Sequence, residues 1–255
     1  MASVIVIGAG AVGASVAWRL AQAGVSVTVL EATRIGAGTS GTSFAWTNSH
    51  DKAPRPYHDL NVAGMAAHAA LRDEFPATPW LHQSGCLEWT GEAGRDRQRQ
   101  RVERLRGWGY AAEWIGPQQL QELAPDIDPA AIGDAPVAWY PDEGWVDPVV
   151  YAHAMLAAAR RLGARVIAGA AVTGIETRSG KVTGVTTADG AVHGADIVVN
   201  CTGRWADDPA FGPLRLPLAP TLGLLVFTPP VATGLDRVLQ APDCHIRPDG
   251  AGRLL

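Results

Sequence analysis

Residues 3–32 read SVIVIGAGAVGASVAWRLAQAGVSVTVLEA, and few folds accommodate that order of residues. Ser3 to Ile7 is a short β-branched apolar run, as a strand buried on both faces requires. Gly8, Gly10 and Gly13 follow with G-x-G-x-x-G spacing. The first glycine permits a tight turn. The second lets backbone approach a pyrophosphate, and the third lets a helix pack on the strand. That helix spans about Ala11 to Ala23; its N-terminal amides and dipole favour phosphate charge, and Gly24 stops it. Val25 to Leu30 is a second strand. Glu31 ends it, where a carboxylate accepts hydrogen bonds from ribose hydroxyls. Arg34 could meet a 2′-phosphate, but Glu31 would repel one, so NADP is disfavoured. Together these features predict a Rossmann-type unit that binds a dinucleotide.

The texture returns further along. In DEGWVDPVVYAHAMLAAARRLGARVIAG, Asp147 is the expected N-cap, Pro148 the first helical residue, Gly163 the stop and Arg165 to Ala168 a strand. The next residues form three short strands broken at SGK and ADG, a meander. Ile197 to Asn200 reads as another buried strand, followed at once by CTGRW. A glycine just beyond the C-terminal end of a parallel strand is where doubly wound sheets bind ligand. The expected fold class is therefore α/β: a doubly wound parallel sheet with a β-meander, from 1–50 and 147–212. The segments 51–146 and 213–255 are expected to form a mixed-sheet α+β substrate or cap domain. Within them, Tyr57 to Phe75 reads as a helix, SGCLEWTG as a strand, and GRDRQRQRVERLRGWG as a charged helix with a solvated face. His58, His68 and His82 read as helix or surface residues, and the tryptophans as core.

Composition narrows the class. Hydrophobic residues make up 47% and charged residues 18%, as in a globular protein with a substantial core. A net charge of −4 gives no reason to expect nucleic acid or an anionic membrane. Cys86, Cys201 and Cys244 form no C-x-x-C, so buried free thiols in a reducing cytoplasm are expected, and no metal constellation is present. The apolar N-terminus lacks the basic region of a signal peptide, and no run suffices for a membrane span.

The fingerprint with Glu31, the GTSF loop, the GWVDP helix start and the ADIVVNCTGRW strand end together resemble the D-amino-acid oxidase and glycine or sarcosine oxidase superfamily of FAD proteins. The resemblance implies roles for particular residues. Gly8, Gly10 and Gly13, with Ala11 and Val12 between them, would hold the pyrophosphate. Glu31, followed by Ala32, would hold the adenosine ribose. Thr42 and Ser43 match the loop on the phosphate and ring side of the flavin. Val172 would meet adenine through its backbone. Cys201, Thr202, Gly203 and Trp205 match a turn packed against the cofactor. Covalent relatives use a His in the GTS loop or a C-terminal Cys. Here that loop reads GTSFAWT, so noncovalent FAD is expected.

The implied reaction is oxidation of a C–N bond in a small amine or amino acid, with electrons passing on to oxygen, a quinone or a partner protein. CHIRPDG resembles the family strand that reaches the substrate pocket, and His245 and Arg247 alternate onto one face of it. Arg247 is a candidate carboxylate clamp, with a salt bridge in the sheet as the alternative. His245 is a candidate pocket residue, and His50, after the GTSF loop, a candidate flavin neighbour. The ending RPDGAGRLL reads as mid-strand, so a missing C-terminal segment or a partner chain is expected. Two other functions stay open: a nicotinamide-dependent dehydrogenase on the same Rossmann start, and a noncatalytic FAD-binding subunit.

Overall fold

A computed structural model describes residues 2–212, 215–219 and 221–255. The chain divides into two compact units, 1–43 with 147–223 and 44–146 with 224–255.

The first unit is built on a parallel sheet of four strands in the order Ile197–Asn200, Ser3–Ile7, Ser26–Glu31, Arg165–Ala168. Ile5 pairs with Val198 on one side and Thr28 on the other. The period of two sends Ile5 and Ile7 to one face, where they meet Val185 and Ala195 of the meander. The meander itself is antiparallel: Val172–Arg178, Lys181–Thr187 and Val192–Gly194. The helices Ala11–Gln22 and Pro148–Arg161 pack on each other, and the first of them also packs on the sheet. The second starts as its sequence dictates. Asp147 Oδ1 accepts from the amides of Val149 and Val150 at 3.2 and 3.0 Å, Pro148 takes the first position, and Gly163 turns the chain out at φ +94°. Ile197–Asn200 is the sheet's edge, and Ile197 is half-exposed rather than buried. An edge strand has a neighbour on one side only, which an apolar run in the sequence does not reveal.

The second unit holds a mixed sheet of five strands in the order His245–Ile246, Val238–Gln240, Cys86–Glu88, Val137–Tyr140, Glu113–Ile115. Only Val238–Gln240 and Cys86–Glu88 pair in parallel. A second small sheet places Gly144–Val146 between Trp46–Thr47 and Leu81–His82. The helices are Arg55–Glu74, Arg95–Gly107 and Pro117–Leu123. Arg95–Gly107 has a solvated face, with Arg97, Arg99, Glu103, Arg104 and Arg106 exposed, and a buried stripe of Gln98, Arg101, Val102 and Leu105 at helical spacing. Arg101 bonds the buried Glu88 carboxylate, and Tyr140 donates to the same carboxylate at 2.7 Å. His58 lies in the helix Arg55–Glu74 as expected and is buried there, its Nδ1 2.8 Å from Ser49 Oγ, whereas His82 lies on a strand and stacks on Trp145 at 4.6 Å. Of the thiols, only Cys86 is buried; Cys201 is half-buried and Cys244 exposed. No helix among the described residues is long and apolar enough to cross a membrane.

Candidate functional site

The glycine turn sits at the C-terminal ends of the parallel strands, where Gly8 follows Ile7. Gly8 has φ +101°, and a Cβ there would lie 2.5 Å from the carbonyl oxygen of Cys201 at the next strand end. A Cβ on Gly13 would run into the carbonyl of Gly8. Helix and strand therefore approach as closely as backbone allows. Gly10 differs: its φ of −76° is ordinary, and a Cβ would lie 3.1 Å from Ser40 Oγ. Ser40 Oγ also accepts from the Ala11 amide at 3.1 Å, capping the first turn of a helix whose N-cap glycine has no side chain. Ser40 carries no expectation from the sequence. Its one signal is membership of the Gly/Ser/Thr loop after Glu31.

Glu31 is fixed at the same edge. Its Oε2 accepts from the Ala9 amide and its Oε1 from the Thr33 amide, both at 2.9 Å. Oε1 also accepts from the Thr33 hydroxyl at 3.4 Å, and Oε2 keeps a further lone pair for another donor. Ala32 beside it is exposed. The Ala170 amide donates to the Glu31 carbonyl at 2.9 Å, so the chain leading to Val172 starts from this corner. Val172 opens the meander opposite Thr187 and packs on the Ile5, Ile7, Leu30 core.

The loop after Glu31 folds back over the turn. The Gly36 amide donates to the Ala9 carbonyl at 3.1 Å, and Thr39–Thr42 forms a 3-10 turn. A Cβ on Gly38 would lie 3.2 Å from the Trp205 ring. Trp205 is 49% exposed, with the Arg204 guanidinium 4.2 Å from its ring centre. Asn200 Oδ1 accepts from the Thr202 amide at 3.1 Å and its hydroxyl at 2.7 Å, and Asn200 Nδ2 donates to the Ala206 carbonyl at 3.0 Å. These bonds shape the turn through Cys201, Thr202 and Gly203, where Gly203 has φ +63°. Thr42 is exposed with its hydroxyl 3.5 Å from the Gly38 carbonyl; Ser43 is half-buried. The structure thus brings the fingerprint, Glu31, the 36–43 loop and the 200–205 turn to one edge of one sheet. The donor set suits FAD: a helix N-terminus and a side-chain-free Gly10 for the diphosphate, and a fixed carboxylate for the ribose.

The second unit carries the other candidates. His245 is exposed and lies opposite Gln240 in an antiparallel pair. Both line an open groove of about 410 Å³ with Trp89, Thr90 and Glu92. Partial burial lowers the pKa of His245, the positive charge of His50 lowers it further, and Asp51 acts the other way. Arg247 is buried and tied into the fold. Its Nε donates to the Phe44 carbonyl and its Nη1 to the Pro248 carbonyl, both at 2.7 Å, with Asp249 at 3.7 Å. Those contacts tie the guanidinium to two carbonyls and, at longer range, to one carboxylate. His50 is buried too, 2.8 Å from Glu143. Burial pushes the Glu143 carboxyl up, but His50 and bonds from Tyr110 and Ser49 outweigh it and hold the group below its usual range.

Among known proteins, the chain is 26% identical over 265 residues to the glycine oxidase of Bacillus licheniformis, covering 98% of this chain and 68% of that protein. It is 29% identical over 237 residues to one component of the anaerobic glycerol-3-phosphate dehydrogenase of Escherichia coli K12, covering 88% of this chain and 41% of that one. The fold matches the crystal structure of glycine oxidase from Geobacillus kaustophilus with a TM-score of 0.81 at 23% identity, over all of this chain and 70% of that one. The family model described as FAD dependent oxidoreductase, DAO, matches residues 3–255, and the chain belongs to that family.

Proposed function

We propose that this chain is the FAD-binding and part of the substrate-binding portion of an oxidoreductase acting on the C–N bond of a small amine or amino acid. The observation that carries the reading is the corner at Glu31, where a carboxylate anchored by Ala9 and Thr33 adjoins a glycine turn that carries no side chain at Gly10. The likeness to glycine oxidase supports the substrate class. Unit 1–43 with 147–223 then serves as the cofactor domain, and 44–146 with 224–255 as the substrate domain.

In this reading Gly8, Gly10 and Gly13, with the Val12 and Gly13 amides beside the Ala11 amide that Ser40 caps, hold the diphosphate, and Glu31 accepts from the adenosine ribose. The backbone of Val172 meets adenine. Thr42, Ser43, Cys201, Thr202, Gly203 and Trp205 border the flavin end, and FAD is held without a covalent bond. When bound, FAD supplies a two-electron acceptor for the hydride on the carbon next to nitrogen. What the chain supplies is binding, orientation and a proton acceptor. An ammonium must lose a proton before its carbon can yield a hydride, and His245, as a neutral imidazole on the groove, accepts that proton. Arg247 holds the strand in place. Oxygen, a quinone or a partner protein then takes the electrons, in a reducing cytoplasm that suits free thiols.

The test is direct. Acid precipitation of the yellow protein should release FAD into the supernatant, and colour in the pellet would contradict noncovalent binding. Turnover is then measured with glycine, sarcosine, D-alanine and D-proline and an artificial acceptor. Turnover of glycerol 3-phosphate and none of the amines would contradict the C–N assignment.

A further inference from the structure

Among the described residues, a group of buried titratable side chains outside the cofactor corner surrounds His50. Its Nδ1 lies 2.8 Å from Glu143 Oε2, its Nε2 lies 2.8 Å from Gln240 Oε1, and its ring stacks on Tyr140 at 4.4 Å and 12°. Glu143 is inaccessible to solvent and also receives the amides of Ser49 and His50, each at 3.0 Å, and the Tyr110 hydroxyl at 2.6 Å. A carboxylate can only accept, and Gln240 presents its carbonyl oxygen. His50 Nδ1 therefore donates to Glu143, and Nε2 faces the Gln240 side-chain oxygen.

A buried ion pair contributes little net stability over an apolar replacement of the same shape. Its use lies in what it holds, and here that is Gln240. Gln240 stands directly opposite His245, and both line the groove. Directly opposed residues of an antiparallel pair share a face of the sheet. The Trp46 ring lies 5.1 Å from the His50 ring and 5.3 Å from that of His245, so both imidazoles rest on one indole.

We propose that His50 is a positioning residue: an imidazolium braced by Glu143 that fixes Gln240 and keeps its cross-strand neighbour His245 a neutral imidazole on the groove. This rests on the reading of His245 as proton acceptor. The groups facing His50 are Glu143 and Tyr140 from the turn and strand beneath it, Tyr110 through Glu143, and Gln240 and His245 from the paired strands; Asp51 follows it in the chain. With Glu143 on one side, the pair is a dipole whose positive end faces Gln240 and His245. A positive charge there opposes protonation of His245.

The experiment is an NMR pH titration of histidine ring signals in the FAD-loaded protein, with the His245 signal assigned by its loss in His245→Gln. In His50→Gln the His245 midpoint should move up by about 0.5 to 1 pH unit. The acid limb of kcat/KM should move with it, lowering kcat/KM on that limb about 3- to 10-fold. An unmoved midpoint overturns the proposal. Should His50→Gln fail to fold, ring nitrogen shifts of the unmutated protein decide: both His50 nitrogens protonated at neutral pH supports the proposal, and one overturns it. If His245→Ala leaves kcat/KM and its pH profile unchanged, the proton-acceptor reading fails, whatever the titration shows of the coupling.

Discussion

The Glu31 carboxylate accepts a hydrogen bond from the Ala9 amide at 2.9 Å, so the acid ending one strand is locked to the glycine turn ending its neighbour. That lock presents the remaining lone pair of Oε2 in a fixed direction. Glu31→Ala should weaken FAD binding by about 1.5–3 kcal/mol, the range for hydrogen bonds to a charged group. Gln should restore only part, since it lacks the charge. Titration by flavin fluorescence measures it, and unchanged affinity in Glu31→Ala would move the ribose contact elsewhere.

The glycines should separate by phenotype. Gly10 has an ordinary backbone conformation, so Gly10→Val should fold, yet bind no FAD because its methyls fill the diphosphate space. Gly13→Ala puts a Cβ into the Gly8 carbonyl and should cost about 1–3 kcal/mol of stability. Thermal unfolding and flavin occupancy distinguish the two. Equal flavin binding by Gly10→Val and the parent would contradict the cradle.

Ser40→Ala removes the acceptor of the Ala11 amide and should cost about 0.5–1.5 kcal/mol of stability. Thermal or denaturant unfolding reads it. A variant as stable as the parent would mean that solvent replaces the hydroxyl without loss.

Arg101 and Glu88 form a buried pair in the second unit. Arg101→Met alone leaves the Glu88 carboxylate uncompensated and should cost about 3–5 kcal/mol. Adding Glu88→Gln should recover much of that loss, as urea unfolding of the single and double variants would show. Equal losses in both would indicate that packing, not charge, sets the cost.

Glu143 carries a pH signature. Its folded-state carboxyl is held below its ordinary value, so the stability it contributes is present above that value and is lost as pH falls through the folded one. Glu143→Gln should be less stable than the parent near neutral pH, and the gap should close on acidification. A gap that stays constant down to acid unfolding would contradict an ionised Glu143.

What the sequence can say follows from range. The fingerprint, Glu31, Asp147, Pro148 and Gly163 act on backbone a few residues away, and each shows in local pattern. Ser40 acts on Ala11 across 29 positions, and His50 reaches Glu143 across 93 and Gln240 across 190, so no window of sequence contains those pairs. The buried Arg101 is half visible: Gln98, Val102 and Leu105 carry the stripe, but the surrounding arginines mask its apolar signal. His58 gives no local sign of burial because its partner Ser49 lies outside its helix.

The central claim is tested most directly by mixing the FAD-loaded protein, without oxygen, with small amines and following the visible absorption of the flavin. The account predicts that glycine, sarcosine, D-alanine or D-proline bleaches it and that glycerol 3-phosphate does not. Absorption that survives every amine but is bleached by a chemical reductant or by glycerol 3-phosphate would contradict it.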